Sequence, residues 1–91
     1  DSIPEILDIH KVYPNPFNPN VTISYNLPKS EHININIYDI SGEIVTNLTS
    51  NFQYAGSYTI EWNANGFPSG IYIVAIKTKS KILTKKLMLL K

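Results

Sequence analysis

The sequence predicts an all-β domain, an immunoglobulin-like antiparallel sandwich of about seven short strands. Three observations carry that prediction. Apolar and polar residues alternate in Val21-Thr22-Ile23-Ser24-Tyr25-Asn26-Leu27 and again in Ile33-Asn34-Ile35-Asn36-Ile37, the two-residue period of a strand with one buried face. Turn formers punctuate the chain at Pro28-Lys29-Ser30, Asp39-Ile40-Ser41-Gly42, Asn63 to Gly70 and Lys79-Ser80, the spacing expected of successive antiparallel strands. No stretch places apolar residues at the three-and-four spacing of an amphipathic helix.

Taken in order, residues 1–11 read as a linker or first edge segment and 12–91 as the domain. Tyr13-Pro14-Asn15-Pro16-Phe17-Asn18-Pro19 packs three prolines into six residues. Proline has a fixed φ and no N–H, so this segment is neither helix nor central strand. Each residue before a proline is pushed toward extended backbone, which predicts a stiff, extended ribbon clamping one end of the domain or offered to a partner. Val21 to Leu27 follows as a half-buried strand. Ile33 to Ile37 and Ile44 to Leu48 form a hairpin around Asp39 to Gly42, with Gly42 free to take positive φ. Asn47 to Ala55 reads as a longer polar connection ending at Gly56. Tyr58, Ile60 and Trp62 alternate with polar neighbours, and Trp62 and Tyr58 are the expected core anchors. Ile71 to Ile76 is apolar on both faces, as a central strand covered on both sides or near a second layer would be. Ile82 to Leu90 is the last strand.

Ninety-one residues with 43% hydrophobic content suit one small globular domain. A chain of this size buries only about 60–65% of the surface its unfolded form exposes, so packing must be good. There is no cysteine, which excludes disulfides, thiolate nucleophiles and cysteine-based metal sites while leaving the compartment open. No apolar run approaches the ~20 residues of a membrane helix, and no basic-then-apolar export signal is present at the start. Asp1 is not an initiator residue, so the chain reads as a piece of a longer one.

The formal net charge of +1 hides an asymmetry: every acid lies at or before Glu61, and six lysines fall between Lys77 and Lys91. Arginine, which makes bidentate contacts to phosphate and guanine, is absent, and that argues against a nucleic-acid partner. Lysines on an edge strand discourage sheet-to-sheet aggregation, and that reading covers the cluster.

Convergent catalytic chemistry is hard to assemble. His10 and His32 have no ligand-type spacing and read as surface residues. Ser41, Ser57 and Ser69 sit in turn contexts. No glycine-rich phosphate loop precedes a helix. Asp39 and Glu43 flank a turn and supply too few oxygens for calcium. Asn20-Val21-Thr22 and Asn47-Leu48-Thr49 match the glycosylation pattern, one short enough to arise by chance. The expectation is a non-catalytic domain with no cofactor and no metal.

The order of motifs resembles a specific family. Tyr13-Pro14-Asn15-Pro16-Phe17-Asn18-Pro19, Tyr38-Asp39-Ile40-Ser41-Gly42, Ala55-Gly56-Ser57-Tyr58, Trp62-Asn63-Ala64, Ser69-Gly70-Ile71-Tyr72 and the ending Lys85-Lys86-Leu87-Met88-Leu89-Leu90-Lys91 are similar to those of type IX secretion system C-terminal sorting domains, of the type A kind. That resemblance implies a sandwich attached C-terminally to a cargo, which is absent from this chain. It implies partners in the outer-membrane type IX translocon and a sortase-like surface protease that removes the domain. It also implies a route through the periplasm to the outer membrane surface or the medium. The same motifs resemble the immunoglobulin-like domain of flagellar hook-capping proteins, which carry a Trp-Asp-Gly turn where this chain has Trp62-Asn63-Ala64, and often an arginine in the hairpin. The alternative is therefore an accessory or assembly module, with Tyr54, Tyr58, Phe67 or Tyr72 as a ligand platform. On the sorting reading, translocon recognition falls to Lys85, Lys86, Leu87, Met88, Leu89, Leu90 and Lys91. The last strand would offer unpaired backbone groups to a partner strand, or to a copy of itself, and its lysines would steer it to an acidic receptor.

Overall fold

The computed structural model describes residues 4–91 and contains seven strands and no helix. The strands are β1 (Asp8–Tyr13), β2 (Asn20–Leu27), β3 (Glu31–Tyr38), β4 (Ile44–Gln53), β5 (Gly56–Asn63), β6 (Gly70–Lys77) and β7 (Ile82–Leu89). They form two antiparallel sheets, β1-β2-β5 and β4-β3-β6-β7, packed as the expected sandwich. The inward residues of β2 (Val21, Ile23, Tyr25, Leu27) meet those of β3 (Ile33, Ile35, Ile37), β6 (Val74, Ile76) and β7 (Leu87, Leu89), all buried. Deletion of any one of these large side chains leaves a cavity costing about 2–5 kcal/mol.

Strand β4 departs from expectation. Instead of a polar connection after Leu48, the chain continues as strand to Gln53, ten residues in all. The register explains why alternation concealed it. Ile35 faces Thr49 while Asn36 faces Asn47, and Ile37 faces Thr46 while Tyr38 faces Ile44. Leu48 and Val45 are therefore extra residues in two bulges, both turned onto the core, and each bulge resets the two-residue period. The Asn47 amide spans one bulge, donating to the carbonyls of Ile35 and Thr49 and to Asn36 Oδ1 at 2.7 Å. A side chain so engaged supports reading Asn47-Leu48-Thr49 as structure.

Strand β6 is central, between β3 and β7, but only its core face is sealed. On the other face Ile71 is exposed, Ile73 half-buried and only the small Ala75 buried, because no second layer among the described residues covers that side of the sheet. Trp62 is a core anchor as expected, whereas Tyr58 is half-buried and stacked on Tyr25 at 5.4 Å.

The proline segment is not an extended ribbon. It bends at Pro14–Pro16 and again at Asn18–Pro19, and it buries Phe17 to 2% exposure. Burial of one large aromatic and pairing of its backbone outweigh the local preference of each pre-proline residue for straight backbone.

Candidate functional site

Because neighbouring strands in both sheets pair antiparallel, each connection falls at one of two ends of the sandwich. One end gathers the proline segment, the β3–β4 turn, the β5–β6 loop, the start of β6 and the finish of β7. Most motif residues singled out in the sequence, from Pro14 to Pro19, Tyr38, Asp39, Gly42, Trp62, Ser69, Gly70, Tyr72 and Leu87 to Lys91, lie there. Gly56 does not: it opens β5 at the opposite end. Segment 4–7 also leads in at that opposite end, since Asp8 pairs with Asn26 beside the end of β2.

Aromatic packing ties the motif end together. Trp62 touches Phe17 (5.7 Å between ring centres), Phe67 (5.6 Å) and Tyr72 (5.4 Å). One residue each from the proline segment, β5, the β5–β6 loop and β6 thus meet in one cluster. Burial pushes the Tyr72 phenol up, with the Asp39 charge adding to the effect, and its hydroxyl donates to the Pro68 carbonyl at 2.7 Å. The Ala64 N–H donates to the Pro19 carbonyl at 2.8 Å and the Lys91 N–H to Ser69 Oγ at 2.9 Å.

The β3–β4 turn is organised by Asp39. Its Oδ1 accepts from the Ser41 hydroxyl (2.6 Å), the Ser41 N–H (2.9 Å) and the Glu43 N–H (3.1 Å). These bonds, the Ser41 hydroxyl foremost, hold the carboxyl below its ordinary range. Gly42 closes the turn at φ +90, a conformation that a side chain would strain.

The outer edge of β7 corrects a second expectation. Beside the proline segment its backbone groups are taken. Asn15 Nδ2 donates to the Lys86 carbonyl at 3.2 Å, and Asn15 Oδ1 accepts from the Met88 N–H at 2.9 Å. The Phe17 N–H then donates to the Met88 carbonyl (2.9 Å), and the Leu90 N–H to the Phe17 carbonyl (3.0 Å). Asn15 and Phe17 together act as a short added strand, so only Ile82, Thr84 and the Lys86 N–H keep outward backbone groups without a partner among the described residues. The leucines divide as well: Leu87 and Leu89 are fully buried, while Leu90 is 52% exposed. Lys85 and Lys86 are exposed on opposite faces of β7, and Lys77, Lys79 and Lys81 sit at the opposite end of the domain from Lys91. The lysines do not converge.

His10 and His32 are exposed on different sheets, and among the described residues no three acidic or histidine side chains cluster as a metal site. The platform reading fails on geometry. Phe67 and Tyr72 belong to the Trp62 cluster, while Tyr54 stands perpendicular to Phe52 at 90°.

Comparison with known proteins gives the chain a family and a likeness of fold. A family model described as the secretion system C-terminal sorting domain matches residues 11–90. The structure of dimeric latent PorU from Porphyromonas gingivalis superposes with a TM-score of 0.57 at 16% identity, covering 88% of this chain and 9% of that one, a likeness of fold. No curated protein matches the chain.

Proposed function

The chain belongs to the family of secretion system C-terminal sorting domains, and from that premise we propose that the outer-membrane type IX translocon docks on its motif end, with the finish of β7 at the centre of the contact. Domains of this family are sorting signals of the type IX system, generally non-catalytic, and direct export across the outer membrane through the secretion machinery. This chain accordingly has no catalysis of its own. It carries an N-terminally attached cargo from the periplasm to the cell surface or medium, where a sortase-like protease cuts ahead of β1, which the sandwich holds from Asp8 through its pairing with β2 and the buried Ile9.

One observation carries the docking assignment: the motifs gather at the end opposite the one where segment 4–7 leads in. Cargo attached there hangs away from the docking face, so one label can serve cargoes of any shape. The exposed side chains available for recognition are Lys86, Leu90 and Lys91, with Met88 half-buried beside them. Leu87 and Leu89 have the separate task of filling the core.

The test is a periplasm-targeted fluorescent protein fused to residues 1–91 in a host with the type IX machinery. Translocon-dependent appearance at the surface is the expected result, and K86E/L90S/K91E is expected to abolish it with the domain still folded by circular dichroism. Retention of the intact, folded wild-type fusion in the periplasm overturns the assignment.

A further inference from the structure

Sheet β4-β3-β6-β7 has two edges, and they are unequally defended. Strand β7 carries Lys85 and Lys86 and is partly covered by the proline segment. Strand β4 has no charged residue and no proline in its ten positions. Its bulges confine irregularity to Val45 and Leu48, and from Thr49 to Gln53 it pairs with β3 in unbroken register. Straight, uncharged edge strands of this kind template further pairing. A second feature marks the same place. Phe52 and Tyr54 are 56% and 74% exposed, and their rings meet edge to face at 5.4 Å.

We propose that Thr49–Gln53 is a self-recognition strand through which two copies of this domain form a two-fold dimer. Self-pairing fits better than pairing with another element of a second copy. An antiparallel dyad through Asn51 sets Asn51 against its mate, Ser50 against Phe52 and Thr49 against Gln53, with no charge opposed to charge. The two Phe52 rings become diagonal neighbours, a separation of about 7–8 Å that aromatic side chains bridge. A β7 self-pair would instead bring lysines together. Pairing β4 with β7 of the next copy is a head-to-tail contact that grows without closing, and the lysines and proline segment obstruct it. The dyad uses one edge twice and leaves the motif end of each copy free. Its five-residue strands bury less than about 1,000 Å², which makes the dimer a weak one.

Sedimentation of the 91-residue chain between about 10 μM and about 1 mM tests this, the range a contact of that size calls for. The expected result is a shift from 10.3 kDa toward twice that mass. N51K sets like charges against each other at the dyad and is expected to abolish the shift, while T84K on the other edge leaves it intact. Thermal melts establish that both variants are folded. The chain has no native cysteine, so N51C gives a clean second readout: mild oxidation should link it into a covalent dimer faster than T84C. A chain that stays monomeric at every concentration, an association that survives N51K, or faster linking by T84C each overturns the proposal.

Discussion

The two edges of the four-stranded sheet solve the same problem differently. Both end in backbone groups that a neighbouring strand could use. On β7 the lysines and the Asn15–Phe17 segment restrict access, and the part nearest the motif end is fully paired. On β4 the only defence is the pair of bulges, which occupy the half nearest the motif end and leave the other half straight. In both strands the regular, accessible half lies toward the end where segment 4–7 leads in. At the motif end the β7 backbone is paired, so what it presents outward there is side chains.

The sharpest way to break this contrast is to remove the root of the β7 cover. F17A is expected to destabilise the domain by about 3–5 kcal/mol in urea titration, since a buried ring packed on Trp62 leaves a large cavity. A loss below about 1 kcal/mol would mean that the segment merely lies on the surface.

Asn15 isolates the hydrogen bonds from the packing. N15A removes one donor and one acceptor from β7, and a cost of about 1–3 kcal/mol is expected. Amide exchange should accelerate at Met88 and stay unchanged at Thr84; equal acceleration at both would show general loosening instead.

A smaller effect is expected at the turn that launches β4. The Asp39 carboxyl is held low in the folded state, so its contribution is complete above the ordinary carboxylate range near pH 4. That contribution is lost as the pH falls through the lower folded value. D39N should therefore flatten the acid limb of a Tm-against-pH curve, and an unchanged limb would assign acid sensitivity elsewhere.

The smallest effect belongs to the open part of β7. The Thr84 N–H points outward, two steps along the alternation from the Met88 N–H. Proline is tolerated on an outward edge position, so T84P should cost no more than about 0.5 kcal/mol. A much larger cost would show that this stretch is covered too.

The fold was legible wherever the chain keeps its two-residue period. Val21 to Leu27 and Ile33 to Ile37 announce both face and register, and Trp62 announces the core. The second half of β4 was not, because Val45 and Leu48 each shift the phase and the residues around them are polar enough to pass for a loop. The site was half legible. The motifs gather at one end of the molecule, but the pairing of Asn15 with Met88 spans 73 residues, and nothing local to either residue announces it.

That same separation sets an order in time. Asn15 and Phe17 are made before their partners on β7, and Met88 follows Asn15 by 73 residues. Until Leu89 and Leu90 emerge, the proline segment has no strand to bind and one side of the sandwich stays open. A polypeptide cut before β7 would carry every earlier motif and still lack the strand that the proline segment binds. The fold thus makes closure of this side of the sandwich wait for β7, the strand that completes the four-stranded sheet last in chain order.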